Sequence, residues 1–578
     1  MQVRQFTVTV LGSVLISMAT LRCTTQNNAS PSDAALPPPN IIWLVAEDLS
    51  PRLAPYGDSL AHTPHINDIA DRGIVFENAF TVSGVCAPSR SAIITGMYPT
   101  SIGTQHMRQK PSVIPMPGFP RYNAVPPPEV KAFPELLRAA GYWTASYRKL
   151  DYQFGEPFTI WDSVSDYPSW RDRQGADQER PFFIYYTFEI THEINIWPDS
   201  TKARFFEEFN LDEKTLAPDV VERPAFDSSY AVDPADVAVP PYLPDTELSR
   251  DHISRLYDNA SRMDVQIGKI LADLEADGLL ENTIIFFMSD HGDCLPRAKR
   301  WIYDSGIKAP LVAYFPEAYL PKGISQPGRD ARLYSFVDLA PTVLNLAGVA
   351  IPDWVQGKAI FSELQTEPRQ YVYAGRDRID NRYDTRRAVR DNQYKYIRNY
   401  APEVAYSQPT TFLHQMPLMQ EIVRLDQQGK LSDEQSYWLF RPKDTEEELY
   451  DLSADPYELN NLASDTATYG KVRQRMRDQL TAWQQQYGDL YQEEETDQAE
   501  RMWPGGVQPV TAPPTVNANG SELTIRCATP GASIAYQQVG ERRWHIYTQP
   551  LPLVASDSLR VKAVRYGYQE SEVVRSPK

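Results

Sequence analysis

A cysteine, an arginine and two acidic pairs in this 578-residue chain have the types and surroundings for chemistry on a tetrahedral anion. Cys86-Ala87-Pro88-Ser89-Arg90 opens a short apolar run that reads as a helix. Pro88 suits a first turn, Ala92, Ile93 and Ile94 supply the body, and Gly96 stops it. Cys86 therefore stands at a helix mouth, where free backbone N–H groups and the helix dipole favour an anion. Arg90, one turn on, adds a planar fork that suits an oxyanion. Glu47-Asp48 follows the apolar run 41–46, and Ser289-Asp290-His291-Gly292 follows the apolar run 283–288. Residues just beyond the ends of buried parallel strands lie at the ligand-binding edge of an open α/β sheet, so the two segments can meet. Glu47, Asp48, Asp290 and His291 then offer donors for a hard cation such as Ca²⁺ or Mg²⁺, which would polarise an S–O or P–O bond. Each pair alone would pass for a solvated strand end, and Cys86 alone for an inert buried thiol.

Further basic and imidazole groups sit on loops that follow the same kind of run. His192, in Thr191-His192-Glu193, comes just after the apolar run 182–188. Lys299 lies in Arg297-Ala298-Lys299-Arg300-Trp301, and Lys149 and Asp151 lie in Tyr147-Arg148-Lys149-Leu150-Asp151-Tyr152. His106 lies in Thr104-Gln105-His106-Met107-Arg108. Taken singly, a Lys-Arg pair or a loop histidine is ordinary solvated surface, and Asp151 is a loop acid that Arg148 can pair with.

Together these residues resemble the formylglycine-dependent sulfatases. Cys-x-Pro-Ser-Arg, then four residues, then Thr-Gly is that family's signature, met here by Cys86, Pro88, Ser89, Arg90, Thr95 and Gly96. The resemblance runs over residues 40–462 with the motifs in order, and is nearest to the N-sulfoglucosamine sulfohydrolase-like branch. Tyr98-Pro99-Thr100-Ser101 and Ala374-Gly375-Arg376-Asp377-Arg378 carry that branch's look. It implies that Cys86 is oxidised by a maturation enzyme to formylglycine (3-oxoalanine), whose hydrate attacks sulfur. It implies a Ca²⁺ site (Mg²⁺ as the alternative) made by Glu47, Asp48, residue 86, Asp290 and His291. Arg90 and Lys149 would activate the nucleophile, Asp290 would take its proton, and His192 and Lys299 would serve the leaving oxygen. His106, Asp151, Arg376 and Arg378 would meet substrate. The chain departs from the family in having Glu47 for an Asp, and Asp151 where a histidine usually deprotonates the hemiester. Asp151 or His106 are the candidates for that base.

The formal net charge of -18 excludes the basic face of a nucleic-acid binder but not a basic pocket for an anionic substrate. The 33 tyrosines and 11 tryptophans suit sugar rings. Arg4 and the apolar segment 6–18 read as a signal peptide, too short for a membrane span, with cleavage after Ala19. Cys23 raises a lipid-anchor alternative, which the poor lipobox Thr20-Leu21-Arg22 disfavours, so a periplasmic or secreted enzyme is expected. The four cysteines show neither a disulfide framework nor a metal-type spacing.

Alternating strand and helix patterns from residue 40 predict an α/β fold with a mostly parallel sheet between helices. Short strand runs and one helix then predict a smaller α+β segment, and the last strand runs a β-sandwich-like tail. The expected organisation is signal 1–19, linker 20–39, catalytic segment 40–369, α+β segment 370–500 and terminal β segment 501–578. The function expected is hydrolysis of sulfate esters on a sulfated polysaccharide or its oligosaccharides, an ulvan-like algal glycan or a glycosaminoglycan. The alternatives are a formylglycine-dependent phosphonate or phosphate ester hydrolase and a non-catalytic exported sugar-binding protein.

Overall fold

Long β-branched and aromatic runs can be buried on both sides only where a sheet is covered on both faces, and this chain builds such a sheet. The computed structural model describes residues 36–108, 118–210, 227–361, 367–410, 412–538, 540–553 and 559–576. The expected signal segment, and most of the expected linker with Cys23, lie outside the described residues. From Pro38 onward the chain forms a single unit. Its central sheet contains eight strands: β1 (Asn40–Ala46), β2 (Ile74–Phe80), β3 (Trp143–Tyr147), β4 (Ser163–Ser165), β5 (Phe182–Phe188), β6 (Thr283–Ser289), β7 (Leu311–Tyr314) and β8 (Gly328–Ser335). The spatial order is β4-β3-β5-β1-β6-β7-β2-β8. All neighbours are parallel except β7, which runs antiparallel to both β6 and β2.

Five helices matter for the site: α1 (Pro64–Arg72), α2 (Cys86–Thr95), α3 (Phe133–Ala139), α4 (Glu247–Ala276) and α5 (Leu339–Leu346). Alternate residues of β1 feed two cores. Ile42 and Leu44 join Ile184, Ile285 and Phe287 beneath Ile253, Leu256 and Met263 of α4. Ile41, Trp43 and Val45 join Phe183, Ile284 and Phe286 beneath Phe133 and Leu137 of α3 and Val343 of α5. The Trp43 ring sits 5.1 to 5.4 Å from Phe133, Phe183 and Tyr185, mostly edge-on. At its start α4 is capped by Thr246, whose hydroxyl accepts from the Ser249 N–H at 3.1 Å. The strands at β3, β4 and β8 were not legible in the sequence, because their short or half-polar runs carry no strong period.

A second sheet, antiparallel throughout, contains β9 (Val372–Arg376), β10 (Arg386–Arg390), β11 (Tyr394–Asn399) and β12 (Glu447–Asp451) in the order β12-β11-β10-β9. Helix α6 (Thr466–Tyr487) lays Met476, Leu480 and Trp483 on Val389, Tyr396 and Leu449. The acidic stretch 493–497 leads into α7 (Glu495–Met502), with Glu495 buried. The tail forms two small sheets around Leu523, Ile525, Leu559 and Val561. Its strands include Glu522–Arg526, Ser533–Gln538 and Leu559–Val564. Among the described residues no helix is long and apolar enough to cross a membrane.

Polar contacts bind this tail to the central unit. Buried Glu135 of α3 accepts from Tyr566 Oη at 2.9 Å and Ser533 Oγ at 2.5 Å, and is hydrogen-bonded by Thr159 as well. Arg543 reaches Asp162 at 2.9 Å and Asp177 at 2.6 Å. Glu135→Ala would strand three donor hydroxyls. It is expected to lower the urea-unfolding free energy by about 3 kcal/mol, the order of cost for such orphaned groups. A change below about 0.5 kcal/mol would mean that water replaces the carboxylate without penalty.

Candidate active site

β1 and β6 are neighbours in parallel register, with Ala46 opposite Ser289. The residues that follow therefore leave the sheet side by side. Asp290 N–H donates to Ala46 O at 3.1 Å, and Asp48 N–H donates to Asp290 Oδ1 at 3.2 Å. Asp48 takes a φ of 52°, a left-handed turn that Asp tolerates better than most residues. Helix α2 is buried along its length and stops at Gly96 in the left-handed region. Ser89 fastens it to the edge, donating to Asp290 O at 2.5 Å. Just before α2, Gly84 passes so near Trp301 that an added Cβ would lie 2.0 Å from the Trp301 carbonyl oxygen, so a side chain has no room there.

Four donors converge at this junction. Asp48 Oδ1 is 2.9 Å from His291 Nε2 and 3.8 Å from Cys86 Sγ. His291 Nε2 is 3.4 Å from Cys86 Sγ and 3.7 Å from Asp290 Oδ1. His291 Nδ1 lies 3.0 Å from Gly292 O, a bond that leaves Nε2 pointing at the acids. Cations close the other sides. Arg90 pairs with Glu47 and with Asp290 Oδ2 at 3.2 Å, while its Nη1 donates to Tyr185 Oη at 3.2 Å and Thr187 Oγ1 at 3.3 Å. Lys149 pairs with Glu47 and lies 3.9 Å from Glu189. Lys299 Nζ donates to Asp48 Oδ2 at 2.6 Å, and lies 3.1 Å from Glu193 and 3.2 Å from His192 Nε2.

Burial alone would raise the Asp48 pKa, but Lys299 and the charged His291 outweigh it and hold the carboxyl well below its usual range. Burial and then Lys299 push His192 well down, which keeps it neutral. Burial works against charge on His291 too, yet Asp290 and Asp48 overcome it and push that ring well up. Burial pushes the Cys86 thiol up.

The structure thus brings together Glu47, Asp48, Cys86, Arg90, Lys149, His192, Lys299, Asp290 and His291. His106, Asp151 and Arg378 stand on loops, and Arg376 ends β9. Asp151 Oδ1 accepts from Gln153 Nε2 at 3.2 Å. Arg376 donates to Arg300 O at 2.7 Å and stacks over Trp301, while Arg378 makes a two-pronged pair with Glu495. The basic stretch around them is interior. Arg386 pairs with Asp384 at 2.9 Å, and Arg387 with Asp377 at 2.9 Å and Asp489 at 2.7 Å, all buried. Sequence reasoning missed Glu193 and Arg300, which form a buried two-pronged pair at 2.7 and 2.9 Å. The Glu193 N–H also donates to Asp48 Oδ2 at 2.8 Å. The only signal for either was its place next to His192 or Lys299.

The donor set suits a hard divalent cation. Glu47, Asp48, Cys86 and His192, and likewise Cys86, Asp290 and His291, each offer donor atoms lying within 4.8 Å of one another. The same two acids that favour a proton on His291 would favour a metal ion against its Nε2. A residue at a helix mouth beside Arg90, Lys149 and Lys299 can bind a tetrahedral oxyanion and stabilise charge on a leaving oxygen.

Comparison with known proteins agrees with this geometry. The Sulfatase family model matches residues 39–349, and the model of the N-sulphoglucosamine sulphohydrolase C-terminal region matches residues 296–408. The chain is 40% identical over 556 residues to an ulvan-active sulfatase of Formosa agariphila, covering 93% of this chain and 91% of that protein. It is 26% identical over 480 residues to the human N-sulphoglucosamine sulphohydrolase, covering 77% and 90%. The solved structure of a 2-O GAG sulfatase superposes with a TM-score of 0.54 at 19% identity, covering 79% and 94%, which shows a shared fold.

His106 gives a test of the electrostatics beside the centre. Burial, with Arg108 and Arg378, pushes it down to about 3 against the pull of Glu495. An imidazole in the unfolded chain titrates near ~6.5, so between those values the unfolded state binds more protons. Folding stability should therefore fall as pH drops from about 6.5 toward 3. His106→Gln should flatten that part of the curve, measured by urea unfolding at successive pH values. An unchanged slope would show that His106 is not held neutral.

Proposed function

The chain belongs to the sulfatase family and hydrolyses sulfate esters, and from that premise we propose that it acts on a sulfated algal polysaccharide of the ulvan type or its oligosaccharides. The observation that carries this reading is the helix-mouth residue Cys86 set against Asp48, Asp290 and His291 and ringed by Arg90, Lys149 and Lys299. The 40% identity to an ulvan-active sulfatase supports the glycan class.

Cys86 Sγ stands where an oxygen of the hydrated formylglycine would be. Once formed, that group would supply two hydroxyls, one to attack sulfur and one to expel sulfate and restore the aldehyde, which a serine with one hydroxyl could not do. Arg90 and Lys149 hold negative charge beside residue 86, with Glu47 between them fixing both head groups. Asp290 accepts a proton from the nucleophile. Lys299, whose Nζ lies 3.2 Å from the neutral His192 Nε2, gives a proton to the departing sugar oxygen, and the two side chains together stabilise its charge. Glu193 and Arg300 hold Lys299 in place from behind. Glu47, Asp48, Asp290 and His291, with residue 86, would hold Ca²⁺ or Mg²⁺, which when bound draws charge from the sulfuryl oxygens and acidifies the nucleophile. Asp151, two residues beyond Lys149, is the candidate base for regenerating the aldehyde. His106, Arg376 and Arg378 shape the wall that meets substrate. Maturation of Cys86 requires a formylglycine-generating enzyme, in keeping with an exported protein.

Sulfate release from ulvan oligosaccharides is expected with native protein, and peptide mass spectrometry should find residue 86 as the aldehyde. Cys86→Ala should lose activity by more than about 1000-fold, the scale for removing a covalent nucleophile. Chelator treatment should abolish turnover, with recovery on adding Ca²⁺ or Mg²⁺. A higher kcat/KM on aryl phosphate than on aryl sulfate esters would overturn the sulfate reading in favour of a phosphate ester.

A further inference from the structure

Tyr383 is 44% exposed, yet its ring is held from several directions. Its hydroxyl donates to Glu495 Oε2 at 2.6 Å. Its ring meets His106 edge-on at 6.4 Å and leans on Phe119 at 5.8 Å, with the Arg378 guanidinium 6.0 Å from its centre. Its backbone carbonyl accepts from Gln408 Nε2 at 3.0 Å. Surface tyrosines ordinarily keep their rotamer freedom, and an exposed aromatic whose ordering has already been met in folding is what a binding surface requires.

The anchor is Glu495, a buried carboxylate brought from α7, far along the chain. It takes both prongs of Arg378 at 2.5 and 2.7 Å and accepts from Tyr122 Oη at 3.1 Å. Helix α7 is locked to the loop after α2: Gln105 Nε2 donates to Gln498 at 3.1 Å, and Met502 fills the space over Gly103. A continuous set of contacts joins this wall to the reaction centre. Lys149 precedes Asp151 by two residues, Asp151 is bonded to Gln153, and Gln153 accepts from Arg108 Nε at 2.9 Å. Arg108 stacks over Tyr122 at 4.0 Å, and Tyr122 reaches Glu495. These buried contacts run from the segment of Lys149 to the exposed ring of Tyr383.

We propose that Tyr383 is the stacking platform for a sugar ring of the ulvan chain beyond the one that carries the scissile sulfate, and that Glu495 is the positioning residue that fixes this platform. The proposal rests on the glycan reading above. A pyranose ring presents C–H groups that pack on an aromatic face. On this proposal the sugar that carries the scissile sulfate lies at residue 86 and the next unit of the glycan lies on Tyr383.

The test is affinity electrophoresis of full-length protein through native gels containing ulvan, with Cys86→Ala as parent so that no turnover occurs. The parent should be retarded. Adding Tyr383→Ala should weaken binding about tenfold, the upper range for losing one aromatic partner. Tyr383→Phe and Glu495→Gln, which keep the ring but loosen its anchor, should each weaken it about threefold. Gels are run well below each variant's melting transition, so misfolding does not enter. An unretarded parent, a Tyr383→Ala variant retarded like the parent, or a Tyr383→Phe variant as weak as Tyr383→Ala would each overturn the platform. Sulfate release from ulvan by native protein reads the substrate assignment separately. Release with Tyr383-independent retardation sinks the platform alone.

Discussion

Three carboxylates, Glu47, Asp48 and Asp290, are fully buried at the ends of two adjacent strands, and the rest of the structure answers to their mutual repulsion. Buried charges persist only when paired and hydrogen-bonded. Arg90 is supplied by the helix that also carries Cys86, Lys149 by the loop after β3, and Lys299 by the loop after β6. Because each cation comes from a different crossover, the charge balance holds the sheet edge, α2 and two loops in one arrangement. That arrangement leaves residue 86 among acids on one side and cations on the other, which is what an attack on a sulfate ester requires.

The same constraint explains why Glu193 and Arg300 matter without facing the nucleophile. Lys299 lies between Asp48 and Glu193, and Arg300 neutralises Glu193. Removing any one member leaves an unpaired charge in a low-dielectric interior, so the network holds its geometry as a unit. Arg376, whose guanidinium is bonded to the Arg300 carbonyl, ties the second sheet to this network. The second sheet is thus joined to this network by an arginine side chain on the backbone next to Lys299. The tail continues the pattern at a distance, with Glu135 and Arg543 as its buried or half-buried polar ties.

Much of the central fold was legible because buried parallel strands write themselves as apolar runs: β1, β5 and β6 fall where those runs lie. The convergence of the candidate site was legible because residues that follow adjacent strand ends of such a sheet meet, and Glu47, Asp48, His192, Asp290 and His291 all follow strand ends. Less legible was the fate of the arginines from 376 to 387. A linear view reads them as a basic patch, but their partners Asp384, Asp489 and Glu495 come from turns and helices up to 117 residues away. Likewise the acidic stretch at 493–497 looks like a solvated boundary, and only its docking against Arg378, Tyr122 and Tyr383 makes Glu495 an interior residue.

By itself the amino-acid sequence determined the periodic pattern of strands and helices, the helix-mouth cysteine with its arginine, and the supply of acids and bases at strand ends, since these depend on local spacing. Tertiary structure alone decided which charges face one another, that Glu193 and Arg300 stand behind Lys299, and that Tyr383 is anchored by Glu495. Such pairings depend on distances between segments brought together by folding. A charge in the chain is only a charge, and its environment decides whether it binds substrate or another side chain.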